Sequence, residues 1–331
     1  MRTIGIFILA LFCIVPTTLA SKGLPPGDLP LKINTALFVA DVDGIDTSSQ
    51  SFDIRLFYRL SWLDSREAHP GPEPITKDLD EVWHPQFQIV SQQKIFFHNK
   101  DSVTITPEGQ VSFLVASWGS YSQAMRLNRF PFDIQDFNFH LVAPGYNPTE
   151  IEMIDIEEFS GIASSLSLAD WRILDWFAET KAYRPYQNDT INVAGINYGF
   201  VAERLSSYYI LKMILPLALI VAMSWAVFWM DPLNVASNVG IAITSMLTLI
   251  AYRFSADTIL PRLPYLTSLD YFILASTILV FASLLQCIAT SALAKEGKLA
   301  LAHRLDIISR ITFPALFGIV ALETLIFRFF V

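Results

Sequence analysis

Residues 130–142 read Phe130-Pro131-Phe132-Asp133-Ile134-Gln135-Asp136-Phe137-Asn138-Phe139-His140-Leu141-Val142. A proline between two phenylalanines marks a turn, because its ring holds φ and it donates no backbone hydrogen bond. Beyond it Phe137, Phe139 and Leu141 alternate with Asp136, Asn138 and His140. That period of two predicts a strand over 134–142 with one buried face.

Working outward, the same signal recurs on the N-terminal side. Phe52, Ile54, Leu56, Tyr58, Leu60 and Trp62 alternate with Asp53, Arg55, Phe57, Arg59 and Ser61. This predicts a second long half-buried strand. Pro107-Glu108-Gly109 is a turn between predicted strands 102–105 and 110–116, and Pro70-Gly71-Pro72 is a loop. Many strands at short spacing over 30–203 point to an all-β, immunoglobulin-like sandwich.

On the C-terminal side the pattern changes at Ser206. Apolar stretches follow at about 207–229, 234–256, 267–291 and 307–331. Each approaches the length a helix needs to cross a bilayer. Pro216 in the first is tolerable where neighbouring helices re-satisfy freed backbone groups. Lys295, Lys298 and Arg304 place the connection between the third and fourth in the cytoplasm. The expected domains are therefore a sandwich at 21–203 and an all-α four-helix membrane bundle at 204–331.

The extreme N-terminus fits this topology. Arg2, an apolar run from Ile4 to Val15, and small residues Thr18 and Ala20 predict a signal peptide over 1–20, removed near Ser21. The alternative is an uncleaved anchor helix. Cys13 lies in that leader and Cys287 in an apolar span, so the exported half has no disulfide available. The product is expected to be a multi-pass protein of the bacterial inner membrane, with its N-terminal domain outside the cytoplasm.

Charge divides the same way. Residues 22–203 carry 13 Lys and Arg against 25 Asp and Glu, 13 − 25 = −12, whereas 204–331 is net positive. An acidic exported domain argues against nucleic acid as a partner and would concentrate cations near an axis. A merely solvated surface is the plainer explanation. No H-E-x-x-H, G-x-S-x-G or P-loop pattern occurs, and the five histidines are scattered. We expect no enzyme, no metal and no cofactor.

In the second span Ala236, Gly240, Thr244, Leu247, Ala251, Phe254 and Thr258 recur every three or four residues and share one helix face. Small and hydroxyl residues lie toward the cytoplasm, with large rings at Leu247 and Phe254. Such a face suits either a pore wall, with apolar rings able to dewet and close, or tight helix packing through small residues.

Taken in order, several elements resemble the pentameric ligand-gated ion channels, or Cys-loop receptors, and most of all their prokaryotic, Erwinia-type members. They are Trp83-His84-Pro85, the FPFD turn at 130–133, Ile214-Leu215-Pro216, the run TSMLTLIA at 244–251, and Leu260-Pro261-Arg262-Leu263-Pro264-Tyr265. The resemblance spans about residues 30–331. It departs from the eukaryotic pattern where cysteines would flank FPFD, since Gln123 and Phe137 stand there.

That resemblance implies a homopentamer: one chain assembled with four further copies of itself, within membrane lipid, passing permeant ions. Leu247 and Phe254 would form the gate, and the other residues of the second-helix stripe would line the pore. A small-molecule agonist would bind between sandwiches, near Phe57, Arg59, Phe113, Pro144, Tyr146, Tyr183 and Tyr186. Aromatic faces there suit a cation, whereas an arginine suits a carboxylate or zwitterion; ordinary core packing is the alternative for each aromatic. Asp46, Asp133, Arg204 and Arg262 would couple the two halves, or form static salt bridges. The acidic outer domain favours cation over anion conduction. Protons acting through carboxylates and His140 are an alternative trigger, and a non-conducting anchored sensor is the rival function.

Overall fold

The computed structural model describes residues 23–98, 101–185, 191–257 and 263–326. The strands are β1 (Leu31–Asp46), β2 (Ser51–Leu63), β3 (Ile75–Asp78), β4 (Gln88–Ile89), β5 (Gln92–Phe97), β6 (Ser102–Ile105), β7 (Gln110–Ser122), β8 (Ile134–Ala143), β9 (Ile151–Asp155), β10 (Gly161–Ile162), β11 (Trp171–Thr180) and β12 (Ala194–Arg204). Among the described residues they form an eight-stranded sheet in the order β10-β1-β2-β7-β6-β3, with β5 on β7 and β9 on β1. A four-stranded sheet, β11-β12-β8-β4, packs against it.

The alternations dictate which side chains meet between the sheets. Phe52, Ile54, Leu56, Leu60 and Trp62 from β2 face Phe137, Phe139 and Leu141 from β8, all nearly inaccessible. Phe52 lies edge-on to Phe137 at 5.1 Å and to Phe139 at 5.5 Å. Burying one such ring stabilises by roughly 1.5–3 kcal/mol. Aromatic packing of this kind holds the exported domain without a disulfide. Trp83 of the W-H-P stretch sits edge-on against Trp62 at 6.2 Å and closes one end of the core.

Four helices follow: α1 (Ser207–Trp229), α2 (Val235–Asp257), α3 (Ser268–Lys295) and α4 (Leu299–Ile326). All four are long and apolar enough to cross a membrane. A π-helical turn over Ile210–Ile214 runs directly into Pro216 of α1. Proline cannot donate, so the helix widens just before it.

One hydrophobic cluster runs without a break from the sandwich into the helices, through Met213, Leu217, Leu249 and Phe272. A smaller one, centred on Val227, Phe228, Ala242 and Cys287, sits deeper in the bundle.

The bounds differ from expectation in two places. β7 extends past 116 to Ser122, because β2 pairs with it along its whole length. α4 begins at Leu299, two turns before the expected 307, leaving only residues 296–298 as connection. Lys298, His303, Arg304 and Asp306 interrupt the apolar run there, which hides the helix start from hydropathy. Asp306 is nonetheless buried, accepting from Gln286 Nε2 at 3.1 Å. Gly297, at φ +79°, ends α3 and lets Lys298 N–H donate to Leu293 O at 3.0 Å.

Candidate functional site

The turn at 130–133 lies where the two halves meet. Its Phe130–Pro131 peptide is cis. Strand β12 delivers Arg204 beside it, three residues before α1 begins. Arg204 Nε donates to Asp133 Oδ1 at 2.7 Å, and both side chains are 2% exposed. Arg204 Nη2 reaches Asp133 Oδ2 and Thr47 Oγ1, each at 3.2 Å. Gln135 Nε2 donates to Asp133 Oδ2 at 2.7 Å.

Aromatic rings enclose the guanidinium: Trp171 at 4.2 Å, Phe130 at 4.9 Å and Tyr209 at 5.9 Å. A buried ion pair recovers its desolvation cost only when further hydrogen bonds satisfy both partners. Thr47, Gln135 and the ring faces supply those contacts, so four structural units converge on this one cation: the β1–β2 turn, the 130–133 turn, β11 and α1.

A second clasp ties the turn to α3. Asn128 O accepts from Ser268 N at 2.9 Å and Ser268 Oγ at 3.0 Å, and Phe130 O accepts from Leu269 N at 3.2 Å. Leu127 N donates to Tyr265 Oη at 3.2 Å. The first N–H groups of α3 would otherwise lack partners. The sandwich loop satisfies two of them, and a capping box between Thr267 and Asp270 satisfies another.

Of the expected coupling residues, Asp133 and Arg204 therefore meet directly. Asp46 turns inward on its own loop, accepting from Ser48 N at 2.8 Å, and it is Thr47 that reaches Arg204. Arg262 lies outside the described residues. Gln135, Thr47, Trp171, Tyr209, Asn128, Tyr265 and Ser268 escaped the sequence reading. Gln135, Asn128 and Tyr209 lie within five residues of Asp133 or Arg204, whereas the others come from distant segments that only folding gathers.

On α2, Ala236, Gly240, Thr244, Leu247, Ala251 and Phe254 all lie on the exposed side of the subunit, with Leu247 61% and Phe254 71% exposed. Thr258 lies outside the described residues. The opposite side, Asn238, Ala242, Ser245, Leu249 and Ala256, packs on the other helices. Tyr252 Oη locks the orientation by donating to Met213 O at 2.8 Å. The hydroxyls of Thr244 and Thr248 donate to Gly240 O and Thr244 O, each at 2.8 Å. Their oxygens keep acceptor lone pairs. By contrast, the exposed sides of α3 and α4 carry Leu274, Ile278, Phe281, Ile311, Ile319 and Leu322, which suit lipid.

The expected agonist residues are only partly gathered. Phe57 is 45% exposed on the outer face of the large sheet. It borders a 580 Å³ cleft with Phe96, Phe97, His98 and Trp118. Arg59, two residues on, borders a different hollow and lies over Phe159 at 5.9 Å. Pro144 shares a 480 Å³ pocket with Phe113, His84 and Phe87.

Phe113 and Tyr146 are both largely buried within the subunit. Phe113 follows the inward parity of β7 with Val111 and Val115, and it lines both the Pro144 pocket and the hollow beside Arg59. Tyr146 packs on Trp83 at 6.0 Å and donates to Gly23 O at 2.9 Å. Tyr183 bridges to Val193 and meets His140 edge-on at 5.1 Å. Tyr186 lies outside the described residues. Phe57 and Tyr183 thus stand on different sheets of one sandwich.

A sandwich whose proline turn is clasped by both the first and third of four membrane helices defines a class, the multi-pass receptor-channels. The chain belongs to the neurotransmitter-gated ion-channel family: the model of that family's ligand binding domain matches residues 21–225, and that of its transmembrane region matches 213–300. It is similar to a proton-gated ion channel of Gloeobacter violaceus, 25% identical over 311 residues, which cover 92% of this chain and 85% of that relative. The expected fold class, channel family and membrane location hold, and the family is not one of enzymes.

Proposed function

We propose that five copies of this chain form a cation-conducting pore lined by α2, with residues 21–203 as the ligand-binding unit and 204–331 as the pore unit. The observation that carries this reading is the exposed face of α2. The α2 face repeats small and hydroxyl residues at helical spacing through Ala236, Gly240, Thr244 and Ala251, whereas the exposed sides of α3 and α4 are mostly leucine, isoleucine and phenylalanine, with Thr312, Ala315 and Gly318 interspersed. Around a symmetry axis that face becomes stacked rings. Leu247 and Phe254 form the narrow apolar rings that dewet and close. The Thr244 oxygen below them, which keeps acceptor lone pairs, favours a cation. The net charge of −12 over residues 22–203 raises cation concentration at the outer mouth.

A small ligand opens the pore from between sandwiches. Phe57 and Arg59 on the large sheet, and Pro144 and Tyr183 elsewhere on the sandwich, come together only across two neighbouring copies. Phe113 and Tyr146 back those walls. The Asp133–Arg204 pair transmits the change, because it joins the sandwich to the start of α1.

Gating by protons is the second reading. It is favoured by the proton-gated relative and by His140, which stands against Tyr183 at the same edge. Planar-bilayer recording of the purified chain tests both readings, using a panel of small amines and acids at several pH values. Agonist-dependent current supports the first reading, and current from pH steps alone supports the second. No current under any of these conditions, or a reversal potential following anions, overturns the proposal.

A further inference from the structure

Residues 23–27 read Gly23-Leu24-Pro25-Pro26-Gly27 and lie against the end of the sandwich that Trp83 closes. The Gly23 carbonyl accepts two side-chain hydrogen bonds, from Trp83 Nε1 at 3.1 Å and from Tyr146 Oη at 2.9 Å. Pro25 and Pro26 are buried, although Leu24 before them is 80% exposed. Gly27, at φ +78°, then turns the chain, and Leu31 N donates to Glu150 O at 2.9 Å where β1 takes up its pairing with β9. The stretch is a strap, pinned at Gly23 and again at Leu31.

The chemistry of the first pin is that of proline recognition. Two successive prolines fix φ and hold the residue before them extended, so the strap is stiff and loses little entropy on docking. A site for such a segment offers aromatic side chains, with ring protons to donate to the peptide carbonyls. Trp83 and Tyr146 are such a pair: their rings meet edge-on at 6.0 Å, and the indole and phenol protons converge on one oxygen. They stand on separate loops, which that carbonyl bridges.

The bridge bears on both loops. His84, beside Trp83, and Pro144, two residues before Tyr146, line the 480 Å³ pocket. Tyr146 O accepts from Ala194 N at 2.9 Å, next to the Tyr183–Val193 bridge. Tyr146 is therefore held by the strap at its hydroxyl and by β12 at its carbonyl.

We propose that the Trp83–Tyr146 notch is a proline-peptide site, filled in cis by residues 23–26, and that its filling fixes the two loops and the foot of β12. The strap is an exchangeable ligand, held by one carbonyl and two buried prolines, and it is no strand of either sheet.

The test is hydrogen exchange of the full-length chain in detergent, followed over 142–147 and 192–196. Pro25→Ser combined with Pro26→Ser should accelerate exchange there about fivefold, the equivalent of one net hydrogen bond. Pro25→Ser alone serves should the double variant not fold. An acetylated peptide of residues 23–30, added at the low millimolar level that a short tether supplies in cis, should restore the parent rate. The same peptide with serine in place of its prolines should not. Tyr146→Phe in the strap variant keeps the ring and loses the donor, so about fivefold more peptide should be needed. Parental exchange in the strap variant, or equal restoration by both peptides, overturns the proposal. So does restoration by neither peptide, which would make residues 23–30 a fixed part of the fold. Exchange is read without any current, so failure here leaves the channel reading untouched.

Discussion

Arg204 Nε lies 2.7 Å from Asp133 Oδ1, with both side chains 2% exposed, where the sandwich, the proline turn and the first membrane helix meet. A charge pair this deep is held in place by its surroundings. Removing one partner leaves the other buried and uncompensated, which costs about 3–5 kcal/mol. Removing both leaves an apolar gap among Trp171, Phe130 and Tyr209 that a long side chain can fill.

Asp133→Ala should therefore lower the unfolding midpoint of the detergent-solubilised protein sharply. Asp133→Ala combined with Arg204→Met should recover a good part of that loss. Thermal unfolding of the two variants beside the parent checks this. A double variant as unstable as the single one would mean that shape, not charge, dominates the site.

Leu247→Ala should raise resting current, because an alanine ring leaves a wider and more easily wetted constriction. Bilayer recordings without agonist measure it. An unchanged resting current would remove Leu247 from the gate.

Tyr265→Phe deletes the hydroxyl that accepts from Leu127 N at 3.2 Å. Leaving that amide unsatisfied costs about 1 kcal/mol, or roughly fivefold in the agonist concentration for half-maximal opening. Single-channel conductance should not change, since the residue lies outside the α2 face. A change in conductance with no shift in potency would place its role in the pore.

Burial holds the His140 imidazole below its ordinary pKa, with Lys181 also opposing protonation. The Lys181 carbonyl, which accepts from Nε2 at 2.9 Å, offsets part of this, and Glu179 adds to that offset. A depressed pKa means that the unfolded segment takes up its proton first. The stabilisation is complete above about pH 6.5 and drains away as pH falls toward the lowered native value. Hydrogen exchange over 181–185 should accelerate in that window, and His140→Gln should flatten the response. An identical pH profile in the variant would show that another group titrates there.

Much of this protein is legible in its residues one after another. The alternation over 52–62 and 134–142, the apolar spans and the stripe on α2 are short-range periodicities, and each is imposed by local geometry. Even so, the start of α4 was hidden, because Asp306 is a buried polar residue whose partner Gln286 lies on another helix. The likeness of FPFD to a family turn pointed to Asp133 and Arg204, but nothing linear distinguishes Gln135 or Thr47 from any surface glutamine or threonine.

The same contrast separates the two candidate sites. Spacing alone predicts the α2 face, because a helix repeats every few residues whatever surrounds it. The agonist residues do not follow from spacing: parity turns Phe113 into the core, and Trp83 draws Tyr146 after it. Which segments are strands and helices, and which of their faces are apolar, follows from neighbours along the chain. Which polar groups meet at the junction and which aromatics stay outside emerges only in three dimensions, because those depend on contacts between separate segments, 71 residues apart for Asp133 and Arg204 and 157 for Thr47 and Arg204.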